Sequence, residues 1–231
     1  MRKDKMSIGL VGIAVILQVL FFYFLDNKSA PFAFIFGLQC EAGERAEYLE
    51  ICVLWLPVCF LLLYFSNYYS SLLENYGRLI LTRSYGRKKL LFLVYKKIFL
   101  ILVGLVGFQL VLNGVLFTEF LKLNFLRILV GYIQIVLSYL ILIGVEILLA
   151  CCGWENVIFL LLNVYILFSE FVLFYKSNLQ NKELFFPWNC VEINMLYKVK
   201  ELLLLEILIK IFAIMFIVGV TMAVYRRKDI L

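Results

Sequence analysis

The chain has 231 residues, 65% of them apolar and only 16% charged, with a mean hydropathy of +0.99. A soluble domain is nearer half apolar and a quarter charged, so this composition excludes both a water-soluble globule and a disordered chain. There is no histidine, which removes His-ligated zinc, His-based triads and His-ligated haem. The net charge is +6, but the cations flank apolar runs, which is the pattern of membrane orientation rather than of nucleic-acid binding.

A helix needs about 20 apolar residues to cross the hydrocarbon core. Six runs of that length follow one another in a single domain, 1–231. The first, Ser7–Leu25, follows Arg2, Lys3 and Lys5. Its apolar stretch exceeds the ~7–15 residues of a signal-peptide core, so it reads as a retained span. An outer loop, Asp26–Glu50, carries Glu41, Glu44, Glu47 and Glu50. The second run is Ile51–Tyr69, with Pro57 inside it.

The next segment, Ser70–Lys97, is the most informative. Apolar residues at 72, 73, 76, 79 and 80 give the i, i+1, i+4, i+7, i+8 stripe of an amphipathic helix. Gly77 bends or ends it, and Thr82 to Gly86 reads as a turn. The helix of the third span is expected to begin at Arg87-Lys-Lys89, below the membrane, with Lys96 and Lys97 snorkelling to headgroups. By charge and periodicity alone, this segment is equally a docking knob for a cytoplasmic partner and a basic loop that fixes topology against anionic lipid.

The remaining runs are Ile98–Phe117, Ile128–Ala150, Val157–Tyr175 and Leu202–Val224. Short links join them at Leu121–Arg127 and at Cys151–Asn156, the latter a tight turn. A longer outer loop, Lys176–Glu201, contains Phe185-Phe-Pro-Trp-Asn-Cys190, an aromatic stretch suited to an interfacial lid. The runs do not alternate as barrel strands do, so the fold class is all-α and polytopic. The even number of spans and the cations of the N-terminal tail, the second loop and the C-terminal tail (Arg226, Arg227, Lys228) place both termini in the cytoplasm. The expected location is the cell membrane. Trp55 and Trp188 fall near outer boundaries and Trp154 near an inner one, where indole rings favour the headgroup level.

Four charges lie within the runs: Glu146, Glu170, Glu206 and Lys210. Each costs about 2.5–3.5 kcal/mol at the bilayer centre on insertion scales, so they should face protein or water. Glu206 and Lys210 are i, i+4 and pair on one helix face. Glu170 is at similar depth, so the three either line a polar path or lock the fifth and sixth helices together, the second being favoured. Glu146, one turn from the inner end of its run, is expected to snorkel. Cys52, Cys59, Cys151 and Cys152 should pack as small hydrophobes, while Cys40 and Cys190 both fall outside and are a possible disulfide pair.

At the inner loop the sequence resembles the ABC-2-type transporter permeases, in its smaller form those of bacteriocin export and lantibiotic immunity. Glu74, Gly77, Leu79-Ile-Leu81, Thr82 and Arg87 stand in the order of that family's loop between spans two and three. The resemblance implies that this loop is a coupling helix seated on an ATP-binding cassette subunit, with Glu74, Gly77, Arg78, Thr82, Arg83, Arg87 and Lys88 at the contact. It also implies a second permease subunit, identical or different, to complete a path. No G-x-x-x-x-G-K-[ST] occurs in the chain, so ATP and Mg would be held by the partner and the chain itself is not expected to be an enzyme. An apolar, aromatic wall favours export of an amphipathic peptide or lipid-like substrate. The alternatives are a substrate-capture or accessory membrane subunit, for which Gly9-x-x-Gly12 offers a small-residue docking face, and an intramembrane enzyme, which is disfavoured: there is no G-x-S-x-G and no H-E-x-x-H, and every Asp lies outside the runs.

Overall fold

A computed structural model describes residues 2–24, 34, 48–71, 87–117, 125–175 and 200–227. Among them the chain is all-α. Six helices run in chain order: α1 (Arg2–Phe24), α2 (Tyr48–Ser71), α3 (Arg87–Leu116), α4 (Phe125–Cys151), α5 (Glu155–Tyr175) and α6 (Lys200–Arg227). Long runs of Leu, Ile, Val and Phe become helices because lipid offers no partner to a backbone N–H or C=O, and a helix satisfies both internally. Pro57 sits inside α2 without ending it.

Four helices are long and apolar enough to cross a membrane, over Tyr48–Tyr69, Lys89–Leu116, Ile128–Cys151 and Leu205–Tyr225. The described apolar parts of α1 and α5, Ile8–Phe24 and Val157–Phe168, are shorter. Six spans were expected from the runs, and these two fall short of that length among the described residues. The third helix begins at Arg87, as its basic start predicts.

Helix α4 lies at the centre, packed against α2, α3, α5 and α6, while α1 packs on α2 and α3. In α4 61% of the apolar span is buried, against 11% in α6, so α6 lies at the periphery. The close approach of α6 depends on Gly144: a Cβ there would sit 3.1 Å from Ile217 Cγ2.

The largest core gathers the end of the bundle at which α2, α4 and α6 finish and α3 and α5 begin. Tyr69, Leu90, Leu91, Val94, Ile147, Ala150, Cys151, Ile158 and Tyr225 are all buried in it. At the opposite end Phe22, Ile51 and Leu54 close the contact of α1 with α2.

The expected tight turn joins α4 to α5. Trp154 N–H donates to Leu149 O (3.1 Å) and Gly153 N–H to Ala150 O (3.0 Å), with Gly153 at φ +96°. These two bonds and the positive-φ glycine form a Schellman cap. Trp154 O then accepts from Val157 and Ile158 and starts α5.

Outward faces are strongly apolar. Leu17, Leu100, Val111, Leu160, Leu208, Phe212 and Phe216 are each more than half exposed. In water such a surface would aggregate, whereas in lipid it is the expected wall.

Candidate functional site

The polar groups inside the bundle are where this chain departs from a plain apolar packing, and they fall into three layers. The first joins α4 and α6. Lys210 Nζ is 2.8 Å from Glu206 Oε1 and donates to Gln134 Oε1 at 2.6 Å. Gln134 Nε2 in turn reaches Glu206 Oε2 at 3.5 Å. Lys210 is 2% exposed and Glu206 17%. The ammonium is thus taken out of lipid by one carboxylate and one amide, which is how a charge is tolerated at this depth.

The i, i+4 pair is as the spacing predicts. Among the described residues the pair is joined by Gln134, which ties α6 to α4. The Glu170 side chain lies outside the described residues.

The second layer joins α1, α2 and α3. Gln109 Nε2 donates to Gln18 Oε1 (2.5 Å), Gln18 Nε2 donates to Leu54 O (3.3 Å), and Asn113 Nδ2 donates to Gln109 O (2.9 Å). All three amides are buried. Across the bundle Trp55 Nε1 donates to Asn163 Oδ1 (3.0 Å), tying α2 to α5. Trp55, expected near a headgroup boundary, has its polar edge satisfied inside the protein.

The third layer is at the end with the large core. Tyr95 OH donates to Thr221 Oγ1 (3.3 Å), and Tyr69 OH is in hydrogen-bond contact with Cys151 Sγ. Glu146 belongs to this half of α4. It is 2% exposed, and neither carboxyl oxygen has a hydrogen-bond partner among the described residues. It was expected to snorkel, but Ile143, Ile147 and Ala150 on the same face are buried with it. The face it occupies turns into the bundle, so a snorkelling path is closed.

Chemically these layers can hold helices in register. No group of three or more His, Cys, Asp or Glu suited to a metal occurs among the described residues. Amide and ammonium groups bonded across helices act as specific adhesive in a medium where apolar contact alone selects no partner. Gln18, Gln109, Asn113, Gln134 and Asn163 were not singled out by the sequence reading. The signal that finds them is a lone amide in an otherwise apolar run.

Glu74, Gly77, Arg78, Thr82 and Arg83 lie outside the described residues, as do Cys40 and Cys190. Arg87 and Lys88 form the first turn of α3. Cys151 is buried, as expected of a small hydrophobe, and Cys59 is half-buried, but Cys52 and Cys152 are exposed. Cys152 lies in the turn just past α4, and Cys52 in the second turn of α2. Around Gly9 and Gly12 a Cβ would meet nothing within 4 Å, so that face of α1 is open.

Apolar helices of spanning length, sewn together by buried amides and a buried ion pair, define a helical membrane protein. The chain belongs to the family described as "Protein of unknown function (DUF2705)", whose model matches residues 11–231. No curated protein and no solved structure matches it.

Proposed function

We propose that this chain is the membrane-spanning permease subunit of an ATP-driven ABC transporter, set in the cell membrane with both termini in the cytoplasm. The observation that carries the reading is the seating of α3. It runs unbroken from Arg87 to Leu116, and its first turns bury Leu90, Leu91 and Val94 against Tyr69, Cys151 and Tyr225 of α2, α4 and α6. A displacement of the loop before Arg87 would therefore reach three other helices through close-packed contacts, which do not absorb strain. Such a helix suits a two-state element biased by nucleotide binding on a partner.

The chain has no phosphate-binding loop of its own, so the ATP-binding cassette subunit is a separate protein holding ATP and Mg. A second permease subunit, a copy or a relative, completes the path. The lipid-facing apolar walls favour export of an amphipathic peptide or lipid-like substrate. Arg83, Arg87 and Lys88 are the cations assigned to the ATPase contact, with Glu74, Gly77, Arg78 and Thr82 in the coupling segment.

The reading is tested by affinity purification of the tagged full chain from its native membrane. A Walker-type ATPase should co-purify, and its recovery should fall at least ten-fold when Arg83, Arg87 and Lys88 are all changed to Glu. Recovery of no ATPase with a folded wild-type chain would overturn the proposal. The second reading, a substrate-capture or accessory subunit, is favoured by the open face at Gly9 and Gly12. It predicts that bulky residues there, and not charge reversal in the loop, break the complex.

A further inference from the structure

At the basic end of the bundle one lysine is held in place rather than left to wave. Lys97 Nζ lies over the Tyr68 ring, 3.9 Å from its centroid, and Tyr68 is stacked on Tyr64 at 14° between ring planes. Tyr64 is buried, so the ring pair is anchored to the core of α2. The ring covers one side of the ammonium, and both Lys96 and Lys97 are exposed. Among the described residues neither lysine has a carboxylate partner, and the only acid of α2 and α3 is Glu50, at the far end of α2.

Immediately beyond the lysines the same side of α3 becomes a lipid-facing wall. Leu100, Phe108, Val111 and Val115 are exposed along it, and at Gly104 a Cβ would meet nothing within 4 Å. Lys96 to Val115 spans about 28 Å of helix, close to the thickness of the hydrocarbon core. Paired cations at one end of an apolar stripe of that length match an amphiphile with an anionic head.

We propose that Lys96 and Lys97, with Lys97 positioned by Tyr68, form a binding site for the headgroup of an anionic phospholipid whose acyl chains lie along the exposed face of α3. A soluble anion would gain the charge contact alone, whereas a lipid also covers Leu100 and Val111. A zwitterionic lipid offers the same chains, but its own ammonium competes with the lysines. The cation–π contact fixes the ammonium in one place, so the site is specific rather than a diffuse attraction. The proposal stands independently of the permease reading.

The test uses the full-length chain purified in detergent and mixed with equal amounts of phosphatidylglycerol and phosphatidylcholine, with bound lipid counted by native mass spectrometry. Wild type should retain phosphatidylglycerol in preference. Each of Lys96→Gln and Lys97→Gln should reduce that preference about five-fold, the equivalent of about 1 kcal/mol per surface cation. Tyr68→Leu should reduce it with no change of net charge. The double variant Lys96→Gln/Lys97→Gln should reduce it further, whereas Arg2→Gln/Lys3→Gln, which removes the same two charges elsewhere, should leave it intact. Thermal melting of each variant checks that the bundle persists. The proposal is overturned if wild type shows no preference, if Tyr68→Leu behaves as wild type, or if the Arg2/Lys3 control falls as far as the Lys96/Lys97 pair. Retention of inorganic phosphate with the same dependence on Lys97 but no phosphatidylglycerol preference would also overturn it, by marking a site for a soluble anion.

Discussion

Replacing Lys210 by Met isolates the contribution of the buried ion pair. The ammonium is 2% exposed and bonded to Glu206 at 2.8 Å and to Gln134 at 2.6 Å. Its removal leaves Glu206 facing an amide alone, and breaking one side of a buried pair costs about 3–5 kcal/mol. Glu206 is 17% exposed, so the lower end of that range, about 3 kcal/mol, is expected. For a chain of this size each kcal/mol moves the melting temperature by about 2–4 °C, so Lys210→Met should melt about 6–12 °C below wild type. The double variant Glu206→Met/Lys210→Met removes both charges and should recover most of that loss, because an apolar pair of similar volume needs no desolvation. Gln134→Leu alone should cost less, about 1 kcal/mol, the scale of one interhelical hydrogen bond in a membrane. Melting in detergent, followed by loss of monomeric protein on size exclusion, reads all three. If the double variant were as unstable as Lys210→Met, the loss would come from packing, and the electrostatic argument would be refuted.

Three further predictions rest on single positions. Gly144→Val should cost about 1–3 kcal/mol and loosen α6 from α4, because even a Cβ meets Ile217 Cγ2 at 3.1 Å; a cysteine cross-link between the two helices should form more slowly. Glu146→Leu should be neutral or stabilising in the same melting assay, since a buried carboxyl without hydrogen bonds gives nothing to the packing; a clear loss would reveal a bond outside the described residues. Gly153→Ala should cost about 1–2 kcal/mol, because φ +96° is strained for any residue with a Cβ, and a melting temperature equal to wild type would contradict the cap assignment.

Much of the fold was legible because lipid leaves a sequence few choices. Apolar runs of spanning length must be helical, so α2, α3, α4 and α6 follow from hydropathy, and the start of α3 at Arg87 follows from its cations. The α4–α5 turn was legible from its brevity, and the Glu206–Lys210 pair from helical spacing. The partner of that pair was not, since which helix lies beside α6 depends on rotation about its axis and on Gly144 admitting Ile217. Glu146 shows the same gap: one turn from the helix end predicts snorkelling, but depth alone does not reveal that its face turns inward. The amides escaped notice because hydropathy averages them away, although in lipid a single Gln such as Gln18 or Gln109 needs a partner as a charge does.

The proposal as a whole requires the segment between α2 and α3 to face the compartment that holds ATP. Arg83→Cys in a chain with its six native cysteines replaced gives one reporter in that segment. A membrane-impermeant maleimide applied to matched right-side-out and inside-out vesicles should modify it only in the inside-out preparation. Modification from the outer side of intact vesicles would contradict the account.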